Sequence, residues 1–335
     1  MRRVRLERWL NRIWYVDARP PCWLIPLSWL YCAVVSVRGL ARRAGLLRRE
    51  HPGVMTIVVG NLTAGGAGKT PFVIALSGLL SSQGLRVGIV TRGYGGNSRN
   101  WPREVITDSD PRECGDEAVL LAQCTGMPVY AGPDRLAAAR ALLAKHPVDV
   151  LLGDDGLQHE RLGRDIEIVM IDPQRGFGNE HCLPAGPLRE PLSRLHRVDA
   201  TVALGEHPAA KFQVAVTPGD AINVANPTMT RSLKTFADQP CHAITGVSNP
   251  ERFFQTLRTQ ALKLEKTVAF DDHHDFIEAD IHFENDIPVL MTAKDAVKCR
   301  NFAGENVWYV PLELDVGPAF RKWLNETLKR KTDLG

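Results

Sequence analysis

The sequence has no cysteine pattern of the kind that holds a zinc ion or a disulfide framework. Its seven cysteines are an odd number, and no two of them have C-x-x-C spacing. We therefore expect reduced thiols in a cytosolic protein. Internal repeats and low-complexity tracts are also missing. The 335 residues, 44% of them hydrophobic and 24% charged, suffice for one large globular domain or two moderate ones.

Most of the chain also lacks an excess of charge of either sign. The formal net charge is only +3, but residues 1–50 hold eleven arginines and no lysine, against three acidic residues. The basic charge therefore belongs to the N-terminal segment rather than to the whole fold. We expect no nucleic-acid partner, and no feature of the sequence indicates an obligate protein partner.

The apolar segment at residues 21–37 lacks the length and the signals of other membrane segments. It contains about 17 uncharged residues, which is the lower limit for spanning a bilayer. Pro20, Pro21 and Pro26 disfavour a straight spanning helix. No small-residue cleavage site follows the segment, so a secretory signal peptide is a poor fit.

The side chains in and after this segment indicate contact with a membrane surface. Trp23, Trp29 and Tyr31 are of the kinds that favour the membrane–water interface. Five arginines could meet anionic lipid head groups: Arg38, Arg42, Arg43, Arg48 and Arg49. We predict that residues 1–49 form a membrane-surface helix, with 20–49 lying in the interface. The alternative is a helix buried in the main core, because periodicity does not distinguish the two.

An alternation of apolar strands and helical segments predicts the fold class. Short apolar runs predict buried strands at 54–59, 85–91, 148–152, 165–172 and 200–204. The intervening segments 71–82 and 136–145 are typical of helices. Strands that alternate with helices favour an α/β fold with a parallel sheet.

A glycine-rich stretch, GNLTAGGAGKTPF at residues 60–72, lies between the first predicted strand and a predicted helix. It ends like the phosphate-binding loop G-x-x-x-x-G-K-[ST], but Thr63 occupies the place of the first glycine. Glycines let backbone N–H groups turn toward phosphates, the lysine adds charge, and the hydroxyl is a ligand for Mg²⁺. The predicted nucleotide-binding residues are Thr63, Ala64, Gly65, Gly66, Ala67, Gly68, Lys69 and Thr70. The alternative is a glycine-rich turn that contains GKT by chance.

Two acidic residues at the end of another predicted strand supply the second half of a nucleotide site. Asp154 and Asp155 follow the apolar run 148–152, in the position of the acid that holds Mg²⁺ directly or through water. An ordinary turn is the alternative, because D-D-G is common turn chemistry. Together with the glycine loop, the two carboxylates favour a metal site that includes Thr70.

Three further polar stretches have a position or a composition that suggests chemistry. Residues 91–96 (TRGYGG) follow a strand, at the edge where open α/β sheets bind ligands. Asp116 lies near the start of a predicted helix, where the competing role is an N-cap. Residues 270–276 (FDDHHDF) could be a metal site, a general-base pair or a solvated loop, and their spacing leaves all three open.

The predicted organisation is two α/β/α domains, the larger a P-loop NTPase-like parallel sheet, joined by a short β linker and preceded by the N-terminal apolar helix. The P-loop domain spans 50–211. Two short strands around Pro218-Gly219-Asp220 make 212–235 a two-stranded linker and a possible hairpin. A second α/β series at 236–335 forms the smaller C-terminal domain.

Taken in order, these stretches resemble the tetraacyldisaccharide 4′-kinase family of the lipid A pathway in Gram-negative bacteria. The shared motifs are GNLTxGGxGKTP (60–71), TRGYG (91–95), GDE (115–117), DR (134–135), DDGxQH (154–159), LPAGPLREP (183–191), DH (272–273) and TxKDAVK (292–298). A threonine in place of the first loop glycine is part of the family's own pattern. The resemblance covers nearly the whole chain, and the ordered set of motifs is highly specific.

The resemblance implies an enzyme that uses ATP and Mg²⁺ to phosphorylate the 4′-hydroxyl of a tetraacylated glucosamine disaccharide 1-phosphate. Its lipid substrate places it at the cytoplasmic face of the inner membrane, on anionic lipid. By family similarity Asp116 accepts the proton, assisted by His273 from the second domain. Further implied catalytic residues are Lys69, Arg135, His159 and Asp155, and implied substrate-binding residues are Arg92, Tyr94, Arg189 and Glu190.

Two other functions fit the residues without the resemblance. A P-loop kinase of another small molecule would share the loop and the acids, but it would not need an apolar N-terminus. A membrane-associated ATPase switch would act through a protein partner and change conformation on hydrolysis. For Arg189 an ordinary surface ion pair is also an alternative.

Overall fold

The computed structural model describes residues 2–16, 19–45, 49–159 and 161–333. Within these ranges the chain forms two β-sheets with helices packed against them, which confirms the predicted α/β fold class. The strands of the larger, nine-stranded sheet lie side by side in the order β15 (Leu312–Asp315), β8 (Phe212–Pro218), β7 (Ala200–Leu204), β6 (Ile166–Ile171), β1 (Met55–Gly60), β5 (Val150–Asp154), β2 (Val87–Thr91), β4 (Val129–Ala131) and β3 (Arg103–Val105).

The interior of this sheet is parallel and its two edges are antiparallel. Every neighbouring pair from β8 across to β4 runs parallel, whereas β15 and β3 run antiparallel to their neighbours. A parallel sheet is covered on both faces, which is why β1, β5 and β6 are runs of buried residues. The helices are α1 (Arg2–Tyr15), α2 (Leu24–Arg43), α3 (Lys69–Ser81), α4 (Pro111–Cys114), α5 (Asp116–Thr125), α6 (Arg135–Lys145), α7 (Pro250–Thr259), α8 (Glu278–Ile281), α9 (Ala293–Cys299) and α10 (Gly317–Asp333), with 3₁₀ turns at Leu192–Arg197 and Leu233–Phe236.

The smaller sheet is built from the C-terminal third of the chain. Its six strands lie in the order β10 (Thr230–Arg231), β9 (Ala221–Asn223), β14 (Val307–Val310), β13 (Val289–Thr292), β11 (Pro240–Thr245) and β12 (Lys263–Ala269). The four strands from β14 to β12 are parallel, and β9 and β10 extend the sheet in antiparallel fashion. This sheet and its helices have hydrophobic cores of their own, which supports a second domain.

The two strands predicted around Pro218-Gly219-Asp220, β8 and β9, do not pair with each other as a hairpin. Strand β8 pairs with β7 in the larger sheet, whereas β9 pairs with β14 in the smaller one. The chain then crosses back, because β15 pairs with β8 and Phe320 of α10 packs edge to face on Phe72 at 5.5 Å. The C-terminal segment 312–333 therefore packs with the larger sheet. Domain boundaries at 211 and 235 stay a prediction.

The N-terminal segment, predicted as one helix, contains both α1 and α2. Pro26 lies in the first turn of α2, where a missing N–H disrupts no helical hydrogen bond. Of the described helices, α2 is the one long and apolar enough to span a membrane by length and composition. The alternative of a helix buried in the core is wrong, because most of α2 is exposed, including Trp29 (67%) and Leu30 (64%).

Candidate active site

The glycine loop between β1 and α3 is closed by a buried asparagine. Nδ2 of Asn61 donates hydrogen bonds to the carbonyl oxygens of Thr63 (2.9 Å) and Gly65 (3.0 Å). Gly68 caps α3 with a φ of 76°, a left-handed conformation that suits glycine. The backbone of Thr63 forms a β-bridge with Leu188. The loop therefore turns without a glycine at position 63, because Asn61 and the segment around Leu188 hold it on both sides.

Lys69, the first residue of α3, lies between an amide and a carboxylate. Its Nζ donates to Oδ1 of Asn61 (3.0 Å) and forms an ion pair with Oδ1 of Asp155 (3.4 Å). Nη1 of Arg189 lies 3.6 Å from the other carboxylate oxygen of Asp155. Burial would raise the pKa of Asp155, but the charges of Lys69 and Arg189 outweigh it and lower the pKa. Asp155 is therefore an anion that holds the loop lysine.

Asp154, the last residue of β5, faces the hydroxyl of the loop threonine. Oγ1 of Thr70 donates to Oδ2 of Asp154 (3.1 Å). The other carboxylate oxygen of Asp154 is buried and has no hydrogen-bond partner among the described residues. Burial and the nearby carboxylates of Glu117 and Asp155 raise the pKa of Asp154. A hydroxyl beside an unsatisfied carboxylate oxygen fits a hard divalent cation such as Mg²⁺, which takes oxygen ligands.

Asp116 and His273 form a hydrogen bond between the two halves of the molecule. Oδ2 of Asp116, at the start of α5, lies 2.9 Å from Nδ1 of His273, which follows β12 of the smaller sheet. Oδ1 of Asp116 accepts from the backbone N–H of Glu117 (2.8 Å). The N-cap of α5 is Gly115, so the competing N-cap role of Asp116 is wrong. Only glycine fits at 115, because a Cβ there would lie 2.4 Å from the carbonyl oxygen of Tyr94.

The surroundings of this pair favour its charged forms. Asp116 is 5% exposed, and burial would raise its pKa, but the hydrogen bond with His273 and the charge of Lys294 outweigh it and lower the pKa. Burial would lower the pKa of His273, but the hydrogen bond with Asp116 outweighs it and raises the pKa. His273 has a φ of 61°, and its ring centroid lies 4.9 Å from that of Tyr94. Residues from both halves of the molecule therefore hold the pair in place.

Two lysines of α9, one helical turn apart, approach the same pair. Nζ of Lys294 lies 3.2 Å from Oε1 of Glu117 and 3.3 Å from Nε2 of His273. Nζ of Lys298 lies 3.8 Å from Oδ2 of Asp116 and is almost completely buried. Residues four apart on a helix face the same side, which is why both reach α5. The smaller domain therefore supplies three cationic or titratable groups to Asp116 and Glu117.

Arg135 and His159 lie against the opposite side of the acidic strand end. Nη2 of Arg135 donates to the carbonyl oxygen of Asp155 (3.2 Å), and its backbone N–H donates to Nε2 of His159 (3.3 Å). Burial lowers the pKa of Arg135 to about 10, which leaves it charged at neutral pH. Burial and the charge of Arg135 lower the pKa of His159 to about 4. His159 is therefore a neutral acceptor, and Arg92, which is exposed, adds positive charge near Arg135.

The segment 183–191 forms a wall beside the glycine loop. Nη1 of Arg189 donates to Oε1 of Gln158 (3.3 Å), and Nε2 of Gln158 donates to the carbonyl oxygen of Asn61 (3.1 Å). Glu190 is buried and forms an ion pair with Arg194 (3.3 Å). Arg189 thus faces Asp155 and the loop, whereas the carboxylate of Glu190 faces Arg194. A binding role for Arg189, with an ordinary surface ion pair as its alternative, stays a prediction.

Comparison with known proteins identifies the family to which this set of residues belongs. A profile of the tetraacyldisaccharide-1-P 4′-kinase family matches residues 21–329. The chain belongs to this family. Relatives named tetraacyldisaccharide 4′-kinase are 48% identical in Nitrosococcus oceani, over 92% of this chain and 91% of that protein, and 45% identical in Methylobacillus flagellatus, over 97% of each. A crystal structure of LpxK from Aquifex aeolicus in complex with ATP superposes with a TM-score of 0.77 and 28% identity, covering 90% of this chain and 97% of that one.

These matches confirm the resemblance read from the motifs, and with it the prediction that the chain is a kinase. The structure brings most of the predicted site residues of the 4′-kinase family together: the loop at 63–70, the acids Asp154 and Asp155, and the Asp116–His273 pair. Arg135, His159 and Arg189 border the acids, and Tyr94 touches His273. Their individual roles stay predictions.

Four residues of the site were not predicted: Asn61, Glu117, Lys294 and Lys298. Each lies within a motif that carries the resemblance, but the motif alone does not show which side chain the residue contacts. The fold shows these contacts by placing Asn61 against Lys69, and the lysines of α9 against Asp116 and Glu117.

The two histidines of the stretch 270–276 have different partners. His273 pairs with Asp116, whereas Nε2 of His274 lies 2.9 Å from Oδ2 of Asp280 within the smaller domain. Among the described residues no group of three or more histidine, cysteine or acidic side chains could hold a metal ion. Of the three interpretations of this stretch, the geometry therefore favours a general-base pair.

Proposed function

We propose that the protein transfers the γ-phosphate of ATP to the 4′-hydroxyl of a tetraacylated glucosamine disaccharide 1-phosphate, a step of lipid A biosynthesis. The Asp116–His273 hydrogen bond of 2.9 Å carries this function, because it provides a proton acceptor at the domain cleft. Helix α5, which begins at Asp116, packs against α3, which begins at Lys69 of the phosphate loop. Burial and the charge of Glu117, the residue after Asp116, raise the pKa of Asp154, in agreement with this packing. The named relatives supply the identity of the acceptor.

In this proposal the loop at 63–70 binds the triphosphate. Its backbone N–H groups open onto the N-terminus of α3, where the helix dipole favours negative charge. When ATP binds, Nζ of Lys69 leaves the carboxylate of Asp155 and contacts phosphate oxygens. Asp155 retains its ion pair with Arg189. The ATP-bound structure of the Aquifex aeolicus relative supports ATP as the nucleotide.

Thr70 and Asp154 would hold the Mg²⁺ that accompanies ATP. The support is the hydroxyl–carboxylate contact of 3.1 Å and the unsatisfied buried oxygen of Asp154. When bound, the ion neutralises charge on the phosphates. Asp155 is the less suitable ligand, because both of its oxygens face cations.

Asp116 takes the proton of the 4′-hydroxyl. Its lowered pKa makes it a carboxylate at neutral pH, and the N–H of His273 orients it. Arg135 supplies charge to the transferring phosphoryl group, and neutral His159 holds the start of α6 in place. Phosphoryl transfer depends mainly on positioning and electrostatic stabilisation, which fits a site of this composition. Candidate contacts to the acceptor or the nucleotide are Arg92, Tyr94, Arg189 and Glu190.

The acceptor enters when the two domains separate. Asp116 is 5% exposed because His273, Lys294 and Lys298 cover it from the smaller domain. A group so covered cannot meet a sugar hydroxyl until these contacts open. Closure over the bound acceptor then excludes water, which would otherwise compete for the phosphoryl group.

The exposed apolar side of α2 supports the further proposal that the enzyme works at the cytoplasmic face of the inner membrane. Trp23, Trp29 and Leu30 are all more than half exposed, and buried Leu24 and Ser28 face the protein. A helix with one solvent-exposed apolar side and one side packed on the protein is typical of a helix that lies in the membrane surface rather than one that spans the bilayer. Its acylated acceptor lies in the same surface.

One assay separates this function from its alternatives. The protein is incubated with γ-labelled ATP, Mg²⁺ and a total lipid extract of a Gram-negative inner membrane. Label in a lipid is the expected result, and the Asp116→Asn variant should label the lipid at least about 100-fold more slowly. Label only in a soluble fraction indicates a kinase of another small molecule. ATP hydrolysis that needs an added protein, with no labelled lipid, indicates an ATPase switch.

A further inference from the structure

The N-terminal helices contact the phosphate site directly. Oη of Tyr15, at the end of α1, donates a hydrogen bond to the carbonyl oxygen of Ala64 within the phosphate loop (3.2 Å). Oη of Tyr31, in α2, donates to the carbonyl oxygen of Arg189 in the wall beside that loop (3.0 Å). These bonds join residues separated by 49 and 158 positions in the chain. A simple membrane anchor needs neither of them.

Further bonds fix the helix pair, α1 and α2, to the segment 179–184, which leads into the wall. Nε1 of Trp14 donates to the carbonyl oxygen of Pro184 (3.0 Å), and Oγ of Ser28 donates to that of Cys182 (2.7 Å). The backbone N–H of Asn179 donates to the carbonyl oxygen of Trp14 (2.9 Å). A side chain at Gly178 would lie 2.5 Å from that same oxygen, so the close approach requires glycine. The helix pair is therefore firmly attached where the loop is held.

The bond from Tyr15 sets the orientation of a peptide in the phosphate loop. The N–H of Ala64 donates to the carbonyl oxygen of Pro187 (2.7 Å), and its C=O accepts from Tyr15. In a planar trans peptide the C=O and the following N–H point in opposite directions. Tyr15 thus directs the N–H of Gly65 away from α1. Phosphate loops bind their ligand through such N–H groups.

The hydroxyl of Tyr15 is suited to a permanent donor role. Burial raises the pKa of Tyr15 to about 12, so the proton stays on the oxygen across the physiological range. The guanidinium of Arg175 lies 5.1 Å from the centre of the Tyr15 ring and donates to the carbonyl oxygen of Ser248 (3.0 Å). Tyr15 therefore lies where α1, the phosphate loop and the smaller domain meet.

We propose that the helix pair is a positioning element of the ATP site as well as a membrane anchor, with Tyr15 and Tyr31 as its positioning residues. This inference rests on the proposed function for its membrane part. A lipid surface that fixes α1 and α2 also fixes the peptide of Ala64 and the backbone of Arg189. Membrane binding and ATP binding are then coupled, and each strengthens the other by the same factor.

The test measures equilibrium affinity for a fluorescent ATP analogue, with full-length protein and no acceptor. Loss of one hydrogen bond predicts that Tyr15→Phe binds the analogue about 3- to 10-fold more weakly. The phenylalanine keeps the ring beside Arg175, so thermal unfolding should show a folded protein. Tyr309→Phe, on β14 of the smaller sheet, is the matched control and should bind like the wild type. Equal affinity for Tyr15→Phe and wild type overturns the positioning role.

A second arm adds vesicles of phosphatidylethanolamine and phosphatidylglycerol. The vesicles should increase the affinity of the wild type for ATP. The increase should be smaller in Tyr15→Phe and in Tyr31→Phe, although both variants still sediment with vesicles. The coupling is contradicted if the wild-type protein sediments with vesicles but its affinity for the ATP analogue does not change. Wild-type protein that fails to sediment contradicts the membrane part of the proposed function and the coupling with it, and the first arm still decides the positioning role.

A kinetic measurement distinguishes positioning from general damage. With acceptor present, Tyr15→Phe should raise KM for ATP by a similar factor and leave KM for the acceptor unchanged. A merely destabilised protein would lose kcat in proportion to its unfolded fraction, with both KM values unaltered. That pattern would contradict the proposal.

Discussion

Nζ of Lys294 lies 3.3 Å from Nε2 of His273, whose Nδ1 faces the carboxylate of Asp116. An ammonium group can only donate hydrogen bonds, so Nε2 of a neutral His273 is the acceptor and Nδ1 carries the proton. The proton on Nδ1 then points at Asp116. When the ring of His273 is neutral, Lys294 thus selects the tautomer that donates to Asp116, and that hydrogen bond stabilises the ionised carboxylate.

Replacing Asp116 by Asn should remove the proton acceptor and leave the phosphate loop intact. We expect kcat to fall by about 10²- to 10⁴-fold, the usual contribution of general-base catalysis. The affinity for ATP, measured by equilibrium binding, should stay within about two-fold, because the hydrogen bonds of Lys69 and Thr70 are made to Asn61 and Asp154 and not to Asp116. Near-normal turnover would exclude Asp116 as the base.

Removal of the charge of Lys294 should shift the pH dependence of the enzyme. Burial raises the pKa of Asp116, whereas His273 and Lys294 lower it, so Lys294→Met removes a stabiliser of the ionised form. The pKa of Asp116 therefore rises. The acidic limb of the kcat/KM profile should move to higher pH by about one unit. Lys322→Met, on the exposed side of α10, is the control, and an unmoved acidic limb in Lys294→Met would contradict this electrostatic role.

The metal assignment predicts a specific defect for Asp154. Asp154→Asn should raise the Mg²⁺ concentration needed for half-maximal activity by at least about 10-fold, since even outer-shell changes weaken metal sites by that much. Asp220→Asn, an exposed acid in the turn between β8 and β9, should have no effect. An unchanged Mg²⁺ titration for Asp154→Asn would remove this acid from the metal site.

The exposed side of α2 predicts how the protein binds lipid. Trp29 and Leu30 are 67% and 64% exposed, and burying such a side chain in lipid stabilises binding by about 1.5–3 kcal/mol. The double change Trp29→Ser and Leu30→Ser should therefore weaken vesicle binding by more than about 10-fold, without loss of ATP affinity in solution. The pair Leu312→Ser and Met229→Ser, on exposed side chains far along the chain, is the matched control. Undiminished sedimentation of the α2 variant would contradict the surface assignment.

Local pattern in the sequence predicts the parallel sheet and the phosphate loop well. The apolar run at 200–204 matches β7 residue for residue, and the glycine loop joins β1 to α3 as predicted, although α3 begins at Lys69 and not at the predicted residue 71. Both features depend on neighbouring residues: a buried parallel strand needs a continuous apolar run, and a phosphate loop needs glycines at fixed spacing. Information of this kind is contained in a short window of sequence.

Long-range pairing could not be predicted in the same way. Asp116 and His273 are 157 residues apart, and in the sequence only the family resemblance relates them to each other. Pairing of β8 with β15, and of β9 with β14, depends on which sheet offers a free edge, so the short strands at 212–235 suggested a hairpin instead. The role of Asn61 depends on its distance from Lys69, which no local pattern reveals.

The central claim is tested most directly with two purified acceptors. Protein, Mg²⁺ and γ-labelled ATP are mixed with tetraacylated glucosamine disaccharide 1-phosphate, or with an analogue that lacks only the 4′-hydroxyl. The account predicts one labelled phosphate per disaccharide for the first acceptor and none for the second. Equal labelling of both acceptors, or labelling of neither by a protein that binds ATP, would contradict transfer to the 4′-hydroxyl.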